Sequence, residues 1–225
     1  MVGRLAFAIV AIAALAAASA AAGGDPRDPK KHLNRADQEW ARRILIKRAD
    51  LGSGDWRVEQ SKDEGDADAP PACKNPNFSD LVLTGEAENP DFSRNGSYVD
   101  SGVEVWASER DAAVAWKRGS HYPFEKCFAA AAKQEFEKNS NIKFIPVSSG
   151  PLRIGKLAPR MLTYGLRFSM KLPSARIDGR LDMYFFSRGR ADASLMVLSL
   201  GKPARPIPIS LERRLADLVA RRLHR

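Results

Sequence analysis

The spacing of apolar residues changes along the chain, and each change predicts an element. From Asn34 onward, with Asp37 placed as in a helix start, Ala36, Trp40, Ala41, Ile44 and Leu45 share one helical face. Arg42, Arg43, Lys47 and Arg48 take the opposite, solvent face, and the turn-forming GSGD at 52–55 predicts that the helix ends near Leu51. WRVEQ (56–60) reads as a short strand and SKDEGDADAPPACKNPNF as an acidic, Pro-rich loop. FSDLVLTGEA and SYVDSGVEVWAS are the next strands, punctuated by Asn89-Pro90 and the tight-turn pair Asn95-Gly96. Ser108 with Asp111 opens a second helix over the Ala-rich DAAVAWKRG, which Gly119 and Pro123 interrupt. A further helical piece, PFEKCFAAAAKQEFEKN, lines up Phe124, Cys127, Phe128, Ala131 and Phe136, so Cys127 is expected to face the core.

From Ile142 the period becomes that of a strand. Leu162, Tyr164, Leu166, Phe168, Met170 and Leu172 alternate through RMLTYGLRFSMKL. In the next segment Ile177, Leu181, Met183 and Phe185 oppose Asp178, Arg180 and Asp182, which reads as an apolar face and a solvent face. ADASLMVLSLG is apolar on both faces near Leu195–Leu200, so it is expected to be central or covered by a helix. Pro203, Pro206 and Pro208 end the sheet. The last helix carries Leu211, Leu215, Leu218, Val219 and Leu223 as its apolar stripe, with Arg213, Arg214, Arg221, Arg222 and Arg225 on the remainder. This order predicts an α+β fold: an antiparallel sheet, a meander in its C-terminal half, with helices packed on its faces in an α/β/α sandwich-like arrangement.

The first residues do not belong to that pattern. Arg4, the apolar run Leu5–Ala18 and Ala18-Ser19-Ala20 together resemble a secretory signal peptide over 1–20, with a retained anchor as the alternative. Residues 21–33 are too polar and Pro-rich to be expected in a core, which leaves 34–225 as a single domain. The formal charge of +9 makes the chain basic, with its charges interspersed except near the C-terminus.

Export changes what the two cysteines mean. In a reducing cytosol Cys73 and Cys127 would be buried thiols, but an oxidising exterior favours a bridge between them. There is no CxxC, and His32, His121 and His224 lie far apart without metal-ligand spacing, so neither metal nor cofactor is implied.

LIKRADLGSGDW (45–56), a helix ending in a D-L-x-x-G-x-W turn, resembles the start of actinobacterial exported sensor-type domains. The placing of Cys73, and of Cys127 behind Ala112, Ala113 and Trp116, is similar too. The families it resembles are the PknH-like extracellular sensor domain and, more distantly, the PsbP-like α/β/α sandwich. The resemblance implies an antiparallel sheet between helices, with a cleft for ligands or partners and no family catalytic residue to carry across. The second bridge usual in PknH-like domains is missing here, because no further cysteine exists.

Other motifs weaken on inspection. GPLRIGK (150–156) matches the letters of a P-loop, but Leu157 replaces the magnesium-binding Ser or Thr and Ala158-Pro159 follows where a helix is needed. DEGDAD (63–68) lacks the Gly and Glu of a calcium loop, whose places hold Asp68 and Lys74. His121, in RGSHYPF, is the one histidine placed for catalysis, and no G-x-S-x-G elbow accompanies it. Asp178 and Asp182 have the alternation of paired carboxylates and equally that of any solvent-facing strand. Asn95-Gly96-Ser97 is a formal sequon better explained as a turn. Arg213, Arg214, Arg221 and Arg222 are candidate contacts for an anionic lipid or wall polymer; no nucleic-acid motif is present. The reading is an exported cell-envelope binding or sensor-type module without catalytic activity, recognising an unidentified small ligand or envelope protein. The competing reading is a secreted hydrolase acting through a cleft over the sheet, and a third is an adaptor docking through the basic last helix.

Overall fold

The computed structural model describes residues 25–59, 73, 76–123, 126–127, 130, 133, 142–201 and 207–224. The segment expected to be the signal peptide, most of the acidic loop and most of the helix expected around Cys127 lie outside the described residues. In chain order the elements are β1 (Lys30–Lys31), α1 (Arg35–Ile44), a 3-10 turn (Arg48–Leu51), β2 (Arg57–Glu59), β3 (Val82–Glu88), β4 (Asp91–Arg94) and β5 (Ser97–Trp106). There follow α2 (Glu109–Ser120), β6 (Lys143–Gly150), β7 (Arg160–Leu172), β8 (Ala175–Arg188), β9 (Ala191–Gly201) and α3 (Ile209–Arg222).

The strands form a nine-stranded sheet in the order β1-β3-β5-β9-β8-β7-β6, with β4 also on β5 and β2 on β4. The expected meander is β7–β8–β9, held in continuous antiparallel register from Leu172↔Ala175 to Arg188↔Ala191. The central strand of the whole sheet is β9, between β5 and β8; Leu195 and Val197 enter one apolar cluster and Met196 and Leu198 the cluster on the other side, which explains its two apolar faces. Asn95 (φ 50) and Gly96 (φ 79) form the β4–β5 turn, a backbone that an Asn-Gly pair adopts at low cost.

Several expectations are corrected. The sheet is mixed, because β1 runs parallel to β3, with Lys30 opposite Val82. Residues expected to remain outside the core thus reach the sheet, and Pro29 is buried. Pairing needs only backbone groups, here Lys30 N–H to the Leu81 carbonyl and His32 N–H to that of Leu83, so the polar side chains do not prevent it. Helix α1 begins at the Asn34 cap, whose side chain accepts from Asp37 N–H, but it ends at Ile44. The Ile46 N–H is taken by Ser101 Oγ of β5 at 3.0 Å, which pulls Leu45 and Ile46 into the core and leaves Arg48–Leu51 as a separate turn. Ala36, expected on the apolar face, is exposed, and buried Asp37 takes part in the packing instead.

One face of the sheet carries α1 and α3. Trp40, Ala41 and Ile44 with Leu215, Ala216 and Val219 pack on Val99, Val103, Leu195, Val197, Tyr184 and Phe186. The Asp178–Arg180–Asp182 face of β8 is therefore not a solvent face along its length: Asp182, Tyr184 and Phe186 are buried beneath α3. The stripe of α3 is also rotated from expectation, with Glu212 inside and Leu211 and Leu218 only partly buried. On the opposite face, α2 covers Leu83 and Trp106 through Ala112 and Ala115. There too, Phe144, Leu166, Phe168, Met170, Leu181, Met183, Met196 and Leu198 form a second apolar cluster over β6–β9. Helices on both faces of a sheet give the α+β sandwich its layers.

Cys73 and Cys127 are bridged, with Cα atoms 5.2 Å apart. Both are buried, and Lys126 and Cys127 have helical backbone, which agrees with the inward direction expected for Cys127. The Tyr122 hydroxyl donates to the Cys73 carbonyl at 2.7 Å, a second tie between the two chain segments.

Candidate functional site

Strand register gathers carboxylates on the α2 face of the sheet. Glu86 stands opposite Glu104 and Glu88 opposite Gly102. On its other side Glu104 faces Asp192, Gly102 faces Ser194 and Asp100 faces Met196. Since alternate residues of a strand point to the same side, Asp100, Gly102, Glu104 and Trp106 form one row of β5. Asp91 of β4 and Glu88 of β3 flank this row closely enough for their charges to act on Asp100. Gly102 adds no side chain to the row, and the place a Cβ would take is already crowded: it would lie 3.2 Å from Ser194 Oγ and 3.8 Å from Glu88 Cγ.

Directly opposed like charges in a sheet are unfavourable unless something offsets them. At one end the offset is visible, because Lys31 of β1 donates to Glu86 at 3.0 Å. Around Asp100 the fields reinforce one another. Burial first, then repulsion from Asp91 and Glu88, push its carboxyl up to about 8, against a favourable hydrogen bond from the Ser101 backbone. Asp192 is pushed up to about 6 by burial, although Ser187, Trp106 and the charge of Arg160 favour its anion. Its Oδ2 accepts the Trp106 indole N–H at 3.0 Å. Both aspartates are only partly buried by surface area, so solvent still reaches them. Such a row offers acceptors and, at Asp100, a carboxyl that carries a proton near neutral pH. It suits a ligand rich in donors or positive charge. Among the described residues no group of His, Cys, Asp and Glu is arranged to hold a metal ion.

The residues singled out from the sequence lie elsewhere. His121 caps the end of α2 and is exposed; its Nδ1 sits 2.6 Å from the Lys117 carbonyl, where a triad would need a carboxylate. Asp178 is exposed, and hydrogen bonds from Ser169 at 2.6 Å and Arg176 at 3.1 Å hold its carboxyl below the usual range. Asp182 is buried with Arg180, Glu212 and Tyr184 beneath α3, so the two strand carboxylates share a face but no common space. GPLRIGK ends β6 and continues as irregular chain, with Leu152, Ile154 and Leu157 packed on the core in place of a helix N-terminus.

The four arginines of the last helix divide. Arg222 binds Asp50 at 2.8 Å and the Leu45 carbonyl at 2.7 Å, and Arg214 binds the Asp50 carbonyl at 2.9 Å. They fasten α3 to the 3-10 turn. Arg221 pairs with Asp217 along the helix at 3.0 Å, and Arg213 is exposed. Sequence reasoning missed the carboxylate row. Its signal was the alternation of Asp100 and Glu104 in SYVDSGVEVW, but only the register with β3, β4 and β9 collects the charges.

No protein-family model matches the chain, and no curated protein matches it. Among solved structures it is similar to the extracellular domain of PknH from Mycobacterium tuberculosis, at 10% identity and a TM-score of 0.38, over 82% of this chain and 95% of that one. It is similar also to PA94, a protein of unknown function from Pseudomonas aeruginosa, at 13% identity and a TM-score of 0.21, over 76% of this chain and 96% of that one. These are weak fold-level resemblances without a sequence-level family.

Proposed function

We propose that the chain is an extracytoplasmic binding or sensor-type module of the cell envelope, acting without catalysis and receiving a small ligand or partner on the carboxylate row. One observation carries the reading: Asp100 is held in a partly buried site where Asp91 and Glu88 repel its anion. That arrangement costs folding free energy, and a bound cation or donor-rich ligand would relieve it. The Cys73–Cys127 bridge supports an oxidising compartment.

The test is native mass spectrometry of protein purified from its own envelope, followed by titration with spermidine as a cationic probe and a neutral disaccharide as control. Expected are a retained adduct or saturable probe binding, at least tenfold weaker in Asp100→Asn/Asp192→Asn. Equal binding by wild type and variant refutes the site. Conversion of the retained molecule to product on incubation would move the chain to the hydrolase reading.

A further inference from the structure

A second group of titratable side chains lies on the other face, under α3, and takes no part in the proposed ligand site. Glu212, in the first turn of α3, points into the sheet and is 1% exposed. The Tyr184 hydroxyl donates to its Oε1, and Arg180 Nη2 donates to its Oε2 at 2.9 Å. Asp182, 2% exposed, pairs with the same Arg180 Nη2, so two buried carboxylates share one guanidinium nitrogen. Two ionised carboxylates have only acceptors to offer, and one guanidinium cannot balance both, so the cluster is neutral only when the pair holds a proton. With that proton, the pair carries one negative charge and Arg180 one positive. Without it, an excess negative charge is left among Leu215, Leu195, Val197 and Phe186.

The surroundings limit what else could balance that charge. Beta strand β8 presents Arg180, Asp182 and Tyr184; β9 places Ser199 opposite Arg180 and Val197 opposite Asp182. From β7, Arg167 stands opposite Arg180 and is exposed, and Gly165 stands opposite Asp182. Asp50 of the 3-10 turn is held by Arg222 and Arg214, later in α3. The N-terminal end of α3 has no side-chain cap, its N-cap position being Pro208. Glu212 is thus a polar tie of this end to the sheet, beside buried Ile207, whose N–H donates to Ser199 Oγ at 3.3 Å.

We propose that the Glu212–Asp182 pair is a proton-operated latch: α3 is held most tightly on the sheet in acid and loosens as the surrounding pH rises, while the meander stays folded. Burial first, with the Asp182 charge, pushes the Glu212 carboxyl up to about 8. Burial and the neighbouring Glu212 also raise Tyr184. The docked state therefore binds the proton more strongly than the loosened state, where a glutamate titrates near 4.3. Docking is strongest below that value, weakens by up to about tenfold per pH unit above it, and levels off beyond about 8.

Hydrogen exchange of the full chain, corrected for the intrinsic rate at each pH from 5.5 to 8.5, reads this directly. In the wild type, protection of 209–223 should fall by about tenfold per unit between pH 5.5 and 7.5 while that of β8 and β9 holds. Glu212→Gln keeps the size and hydrogen bonds of the side chain but cannot ionise, and its helix should show a flat profile. If Glu212→Gln does not fold, Asp182→Asn serves, since it also removes the shared charge. Wild-type protection independent of pH, loss shared equally by β8 and β9, or the same pH slope in the variant each overturns the latch.

Discussion

Replacing both half-cystines, Cys73→Ser with Cys127→Ser, tests how the bridge contributes to stability. The bridge spans a sequence separation of 54. In the chain-entropy account, a closed loop of that length removes about 14 cal/mol/K from the unfolded chain, or about 4 kcal/mol at 25 °C. In a chain of this size each kcal/mol moves the melting midpoint by about 2–4 °C, so the double variant should melt roughly 8–16 °C lower. Both cysteines are buried, and the Tyr122–Cys73 hydrogen bond at 2.7 Å already brings the segments together. Serine introduces two hydroxyls at buried positions, so pre-reduced wild type is the necessary companion and should melt close to the variant. The assay is thermal unfolding followed by circular dichroism, with urea midpoints as a check on the free energy. The account fails if oxidised wild type, reduced wild type and variant all melt within about 2 °C of one another, for the unfolded chain would then gain nothing from release of the loop.

Arg190→Ala should cost about 3 kcal/mol by urea unfolding, because Asp37, with a side chain 5% exposed, loses both its guanidinium bonds and stays buried. Gly85→Ala places a Cβ 2.5 Å from the Asp37 carbonyl carbon, so α1 must shift on β3; a loss of about 1–3 kcal/mol is expected, with a lower melting temperature. Asp100 is raised to about 8 in the folded chain, so its contribution to stability is full below about 4 and is lost as pH rises to about 8. Asp100→Asn should therefore be more stable than wild type at pH 8, with the gap shrinking toward pH 4; a gap constant with pH in paired urea titrations would contradict this.

Local chemistry was legible in the sequence where the partner is near in the chain. Asn34 accepting from Asp37 and Ser108 accepting from Asp111 are contacts across a single helical turn. The alternation through β7 likewise marked Tyr164, Leu166, Phe168 and Met170 as inward, though Leu162 is 36% exposed at the strand's outer end. What failed depends on distant partners. Helix α1 stops at Ile44 because Ser101, 55 residues on, takes the Ile46 N–H. Glu212 has no place in the apolar stripe read from the last helix, whereas Tyr184 and Arg180, 28 and 32 residues earlier, make its burial tolerable. The strand Asp91–Arg94 was overlooked between two breaks, yet it brings Asp91 to Asp100.

The two faces hold acids in different ways, and the difference bears on which is exposed to a ligand. Beneath α3 Arg180 balances one of the two carboxylates from within, and a helix seals the pair. On the opposite face the charges acting on Asp100 are those of Asp91 and Glu88, both of its own sign, and its carboxyl keeps a proton near neutral pH. A cation arriving there must displace that proton, so spermidine should bind more tightly as pH rises, by up to about tenfold per unit below 8. A neutral ligand that accepts a hydrogen bond from the protonated carboxyl would show the reverse slope. Calorimetric titration at pH 6 and pH 8, in two buffers of different ionisation enthalpy, measures proton release directly. Release near one proton at pH 6, abolished in Asp100→Asn, is the expected result; binding with no proton exchanged at either pH would remove Asp100 from the site.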